Sequence, residues 1–317
     1  MRMFLIGMLF VAVQSLPAQS LEEAASLFQK RKFDEAKPAL EEIIKKDRKN
    51  AQAHYYLATI HLLPAYLDND KAVDLAETAI KLDANNADYH YIHGAALGIK
   101  VRDAGVIKQA FLAPKVKNAF ARAVELNPNH VQARIGLVQY LLNAPSIMGG
   151  DKEKAAEHIE AVVKLDEVVG RSFRSRLFES EKKHAEAEQE LKIVVQNHAS
   201  DWRGWRNLGY YYLRNEKPDQ SFDAFKKYVS VKPDTADAYD SLAEGLLRKG
   251  NADQAIIQLN KSLQLDPTFG PSLLKLGRAH EMKKQTKEAR EAYQKLLAVD
   301  SNPNRRKEAE KKLKELK

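Results

Sequence analysis

The chain has 317 residues, 44% of them apolar, a formal net charge of +8 and no cysteine. That composition rules out a disulfide framework, thiol catalysis and lipid attachment through an N-terminal cysteine. Length and apolar content suffice for a large buried surface, and the mixing of both charge signs along most of the chain speaks against a nucleic-acid stripe.

Arg2 precedes an apolar run over residues 4–13, and Ala18 and Ser20 follow with the small-residue spacing of a cleavage site. The run is too short to span a bilayer. Residues 1–20 are therefore expected to be a secretory signal peptide, which implies passage across the inner membrane and a periplasmic location. An uncleaved anchor is the alternative.

From residue 21 onward, pairs of apolar stripes recur at helical spacing. Residues 21–50 carry Ala24, Leu27 and Phe28, then Phe33, Ala36, Leu40 and Ile43. Residues 51–86 carry His54, Leu57, Ala58 and His61, then Ala72, Ala79 and Leu82. In 87–130 the sets are His90, Gly94 and Leu97, then Phe120, Ala123 and Leu126, closed by Pro128. In 131–169 they are Arg134, Leu137, Val138 and Leu141, then Ala155, Ile159, Val162 and Leu165. The least regular unit, 170–201, offers Phe178, then Ala187, Leu191 and Val194.

The last three units, 202–235, 236–269 and 270–303, are the most regular, and Pro233 and Pro267 lie 34 residues apart. With that proline counted as position 32, Tyr239, Leu242, Ala243 and Leu246 fall at positions 4, 7, 8 and 11, one face of a helix. Gly250 breaks it at position 15. Ala255, Leu259 and Ser262 form a second stripe at positions 20, 24 and 27, which Asp266-Pro267 ends. Positions 8 and 20 stay small (Gly209, Ala243, Gly277; Ser221, Ala255, Ala289), as close helix packing requires. Residues 304–317 carry seven Lys/Arg against three Glu, with Ala309, Leu313 and Leu316 on one face, the pattern of a capping helix.

This pattern resembles the tetratricopeptide repeat (TPR) family. The resemblance implies an all-α fold, an α-solenoid of stacked antiparallel helix pairs with about eight repeats and a C-terminal capping helix. In that family, positions 2, 5, 9, 12 and 13 of each first helix line a concave groove. Here they give an apolar zone with Tyr55, Leu62, Tyr91, Ile135 and Leu142, and a charged zone with Arg203, Arg206, Tyr210, Asp240 and Arg278. The apolar zone suits an extended or helical apolar segment. The Lys/Asn/Arg clamp with which some members hold a C-terminal carboxylate is absent, since Asn207 alone sits at its place.

Three units exceed 34 residues, with extra residues around 63–66, 101–114 and 144–151. Extended helices joined by tight turns are expected, with Asp151 capping the helix that follows. The alternative is that the last two insertions fold over the apolar zone. No phosphate loop, nucleophile elbow or cofactor motif occurs. The expected function is a non-enzymatic protein–protein scaffold of the bacterial cell envelope, taking a protein or peptide and no nucleic acid. The basic C-terminus allows weak contact with a membrane surface or cell-wall polymer. A structural envelope subunit without a groove ligand is one alternative. The other is a metal site built from His54, His61, His90 and His93, although all four occupy packing positions.

Overall fold

The computed structural model describes residues 20–102 and 104–316, so the expected signal peptide lies outside the described residues except for Ser20. Ser20 opens the first helix: its hydroxyl accepts from the Glu23 amide, and the Glu23 carboxylate accepts from the Ser20 amide. Among the described residues all regular structure is helical, seventeen α-helices and two short 3-10 turns. The fold is an α-solenoid of stacked antiparallel helix pairs. It divides into two compact units, with the boundary between Ala155 and Ala156.

The first unit holds α1 (Leu21–Gln29), α2 (Phe33–Lys46), α3 (Ala51–Ile60), α4 (Asn69–Leu82), α5 (Ala87–Arg102), α6 (Val106–Leu126) and α7 (Val131–Asn143); α8 (Lys152–Leu165) spans the division. Leu40, Leu57 and Ile60 are fully buried where α2 and α3 meet. The insertions take the extended-helix form. Residues 101–114 lengthen α5 to 16 and α6 to 21 residues, and Pro114 lies inside α6. The other two close as 3-10 turns, Pro64–Tyr66 and Ser146–Met148. The Asp151 carboxylate accepts from the Lys154 amide at the start of α8, as its sequence position predicts.

The second unit holds α9 (Glu167–Ser180), α10 (His184–Asn197), α11 (Trp202–Arg214), α12 (Pro218–Val231), α13 (Ala236–Arg248), α14 (Ala252–Leu265), α15 (Gly270–Met282), α16 (Thr286–Val299) and α17 (Pro303–Glu315). In α17, Ala309 is fully buried, and Leu313 and the C-cap residue Leu316 pack on the cluster of Leu273, Tyr293 and Leu296.

Helix α9 begins ahead of the boundary expected at residue 170, because Asp166 caps it by accepting from the Val169 amide. Counted back from Trp202, the 34-residue unit starts at Val168. That places Arg171 and Arg174 at positions 4 and 7, where the three most regular repeats carry Trp205 and Leu208, Tyr239 and Leu242, and Leu273 and Leu276. Both guanidiniums reach Glu190, at 2.8 and 3.3 Å, and Arg171 also bonds Glu167 at 2.7 Å. Ion pairs replace apolar packing in this one repeat, which is why its stripe is weakest.

Positions 8 and 24 vary together in size. A Cβ on Gly209 would lie 2.4 Å from the Phe225 ring, and one on Gly277 would lie 2.3 Å from the Tyr293 ring. In the first unit Gly94 faces Phe120 in the same way, at 2.8 Å. Where position 8 is Ala243, position 24 is the smaller Leu259. The turn between the helices of a pair needs a left-handed residue at position 15. Gly250 supplies it at φ 75°, whereas Glu216 and Lys284 adopt it at 56° and 59° without being glycine.

Candidate partner-binding clefts

The sequence-predicted groove residues separate into several places. In the first unit, Tyr91 and Ile135 come together with Ala95, Ile99 and Gln139 in a cleft of about 470 Å³. Val101 and Arg102, where the long insertion begins, line the same cleft. The Tyr91 ring packs 5.0 Å from His130 and 6.2 Å from Phe120, so it supports the fold as well as lining the cleft. Tyr55 lies in a separate recess of about 400 Å³ beside Phe28, Gln52 and Asp88. Burial there pushes its hydroxyl up to about 12. Leu62 and Leu142 are half-buried against the core clusters and line neither recess.

The second unit holds the larger cleft, about 920 Å³, between α9 and α11. Arg203, Arg206 and Tyr210 from α11 line it as the spacing predicts, joined by Trp202, Asn207 and Arg214. From α9 come Val169, Ser172, Phe173, Ser175, Arg176, Glu179 and Ser180. Five of these, Val169, Ser172, Arg176, Glu179 and Ser180, occupy positions 2, 5, 9, 12 and 13 of the unit that starts at Val168. The sequence reading missed them because it began that unit two residues late. The Asp166 cap ahead of two valines was the available signal.

The cleft's charges are mostly committed within the fold. Arg206 Nε donates to Asp237 at 2.8 Å, and Asp237 also accepts from the Tyr228 hydroxyl at 2.9 Å. Burial pulls the Arg206 guanidinium down, but that bond and the carboxylate's charge outweigh it and hold it up. Its guanidinium lies 5.1 Å over the Tyr210 ring, and the Tyr210 hydroxyl meets the Ser241 hydroxyl at 2.9 Å. Burial raises Tyr210. Arg203 bonds Asp201 and Asp166, each at 2.6 Å, and the bond to Asp201 is the main reason that its guanidinium is held up. Arg214 pairs with Glu179 at 2.7 Å. Arg176 differs: it is exposed, lies 5.6 Å over the Phe173 ring, and has no carboxylate partner among the described residues. Beside it the Ser175 hydroxyl is buried, with no hydrogen-bond partner among the described residues.

One expectation is corrected, and a second residue is ion-paired to a neighbouring helix. Asp240 is not a groove side chain: it is 2% exposed and lies under α15, accepting from Lys275 Nζ at 2.7 Å and the Ser272 hydroxyl at 2.8 Å. Lysine at position 6 of the next repeat covers it. Arg278 is exposed but donates to Glu308 of α17 at 3.0 Å, which ties the last repeat to the helix that follows.

The four histidines do not form a metal centre. Among the described residues no group of three or more His, Cys, Asp or Glu is placed to hold a metal ion. His54 Nε2 meets the Arg48 carbonyl at 3.1 Å, and His90 Nε2 meets the Ala84 carbonyl at 2.9 Å. A carbonyl only accepts, so each ring carries its proton on Nε2. His61 Nδ1 lies 3.2 Å from the Tyr66 carbonyl, and His93 lies 3.6 Å from Glu77. Burial lowers both His61 and His93. Trp205 donates to the Ala199 carbonyl at 2.8 Å and Arg134 to the Pro128 carbonyl at 2.6 Å. These four position-4 side chains, His54, His90, Arg134 and Trp205, thus reach the carbonyl six residues earlier, clipping the first helix to the loop before it.

Two tetratricopeptide repeat profiles match, one over residues 21–63, 174–241 and 211–268 and the other over 272–302. The human Superkiller complex protein 3 is 23% identical over 289 residues, an alignment covering 89% of this chain and 18% of that protein. The peroxisomal targeting signal receptor of Candida albicans is 34% identical over 70 residues, covering 22% of this chain and 12% of the receptor. The type IV pilus assembly protein PilF of Pseudomonas aeruginosa is 36% identical over 70 residues, covering 22% of this chain and 28% of PilF. The chain thus spans less than a third of the length of each of these relatives. The crystal structure of yeast Tom70 superposes with a TM-score of 0.73 at 14% identity, over 94% of this chain and 61% of that one. That likeness is one of fold. Among the described residues no helix is long and apolar enough to cross a membrane.

Proposed function

Because the chain belongs to the tetratricopeptide repeat family, we propose that it is a non-enzymatic scaffold that holds an extended protein or peptide segment in the cleft between α9 and α11. The observation that carries this reading is Arg176, a cation with no carboxylate partner among the described residues, held over Phe173 beside Tyr210 and Trp202. The other three arginines of the cleft are neutralised by Asp237, Asp166, Asp201 and Glu179, so they shape the walls. A segment carrying an acidic side chain next to an apolar one fits this lining, since arginine and aromatic side chains dominate such contacts. The apolar cleft at Tyr91 and Ile135 is a second place for the same partner. A relative named as a targeting signal receptor supports a peptide ligand. The pattern of residues 2–20, together with a bacterial relative named for pilus assembly, supports a periplasmic location in a bacterial envelope.

Arg176→Glu is expected to lower the affinity for cleft-binding peptides by about tenfold or more, since a central interface cation is worth about 2 kcal/mol. Panning a random peptide display library on the wild-type protein and re-testing the enriched peptides on the variant measures this. Enriched peptides that bind Arg176→Glu and Tyr210→Ala as well as wild type would remove the cleft from the account. Arg176 is a cleaner probe than Tyr91 or Arg206, whose side chains also hold His130 and Asp237.

A further inference from the structure

The α5–α6 hairpin carries an apolar surface that the cleft does not use. Helix α6 has 21 residues, against 14 in each of α12, α14 and α16, and its first two turns lie outside the core. There Val106 is 74% exposed, Ile107 90% and Phe111 66%. With Ala110 they span about 140° of the helix circumference, a continuous band at 100° per residue. Ile147, 95% exposed, belongs to the 3-10 turn that packs on α6, where Lys117 Nζ reaches the Gly149 carbonyl at 3.4 Å.

Along α6 the charge has one sign as far as residue 124, with Asp103 preceding the helix in sequence. From residue 104 to 124 there are four cations, Lys108, Lys115, Lys117 and Arg122, and no Asp or Glu. Lys108 and Lys115 are exposed and flank the band on the Phe111 side, with the Lys115 ammonium 4.5 Å over the Phe111 ring. Among the described residues, the first turn of α6 has no acidic residue and Gly105 provides no side-chain cap. Asp70, which feels the charge of Lys108, is paired with Lys100.

From this geometry we propose that the α5–α6 tip docks on an anionic lipid bilayer. Val106, Ile107 and Phe111 enter the boundary between headgroups and acyl chains, and Lys108 and Lys115 stay with the phosphates. Three large apolar side chains on a helix end, flanked on one side by two lysines, match a shallow interfacial contact. The surface is a projecting tip, and a bilayer needs no complementary groove to receive it. This docking is independent of the peptide cleft, which lies in the other unit.

Phe111→Trp in the full chain places a local probe at the tip. Its difference emission against wild type is expected to shift to the blue with vesicles of equal parts phosphatidylglycerol and phosphatidylcholine, and to stay unchanged with phosphatidylcholine alone. Lys108→Glu/Lys115→Glu is expected to lower partitioning onto the anionic vesicles by about tenfold or more. All these positions are exposed, so thermal melting should be unchanged. Absence of a shift at residue 111, an equal shift on zwitterionic vesicles, or unchanged partitioning of the charge-reversed variant would overturn the proposal. Because the readout sits at residue 111, vesicle binding through the apolar run at 4–13 does not imitate it.

Discussion

Lys275→Met is expected to cost the second unit about 3–5 kcal/mol, the loss that follows when one member of a buried ion pair is removed. Lys275 Nζ lies 2.7 Å from Asp240, which is 2% exposed and among the described residues accepts besides from Ser272, so the carboxylate would lose its one cationic hydrogen-bond partner there. Burial already raises the Asp240 carboxyl, against the pull of Lys275 and Ser272. Burial opposes the charge on Lys275 too, but Asp240 outweighs it and holds the ammonium up. Without Lys275 the rise in Asp240 is uncompensated. A carboxyl whose folded pKa exceeds its unfolded value holds more protons when folded, so stability falls as pH climbs above the ordinary value near 3.8. The defect should therefore be full at neutral pH and shrink in mild acid. Asp240→Leu added to Lys275→Met should recover most of the loss. Urea denaturation followed by Trp202 and Trp205 fluorescence gives the number. A loss under about 1 kcal/mol, typical of an exposed pair, or one that ignores pH, would refute burial of this charge pair.

Phe225→Ala is expected to cost about 3–5 kcal/mol as a large core truncation. Phe225 is fully buried, packs edge-on to Tyr210 at 4.9 Å, and fills the space that Gly209 leaves. Gly209 at position 8 has no side chain to fill the hole. Gly209→Ala alone should cost about 1–3 kcal/mol, since its Cβ would stand 2.4 Å from the ring. In the Phe225→Ala background the same substitution should instead recover stability. This reversal of sign is the diagnostic; two costs that simply add would show that positions 8 and 24 do not share one space. Loss of Phe225 also frees Tyr210, so peptide binding in the cleft should weaken together with stability.

Much of the architecture was legible because a helical period leaves a strong trace. The stripes at Tyr239, Leu242 and Leu246 and at Ala255 and Leu259 fix two helices, and Asp266-Pro267 marks where the second stops. The pairing of glycine with an aromatic ring was present as small residues at position 8, but which ring filled each gap needed coordinates. Three kinds of feature were hidden. Arg171 and Arg174 stand where apolar residues are expected, and their partner Glu190 lies 16 or more residues away, so the repeat starting at Val168 was placed late and Arg176 and Phe173 were lost with it. The fate of Asp240 depends on Lys275, 35 residues later in the next repeat. The histidines suggested a metal because a sequence shows their spacing and not the carbonyls at Arg48 and Ala84 that accept their hydrogen bonds. Side chains that answer to their own helix were readable; those that answer to a neighbouring repeat were not.

Partner capture in the cleft is tested most directly by photo-crosslinking in the living source cell. A benzoyl-phenylalanine would replace Arg176 or Tyr210 inside the cleft, and Ile257, exposed on α14, outside it. A discrete protein adduct from residues 176 and 210, absent at residue 257 and lost when Phe225→Ala is added, is the predicted result. Adducts from residue 257 with none from 176 or 210 would contradict it.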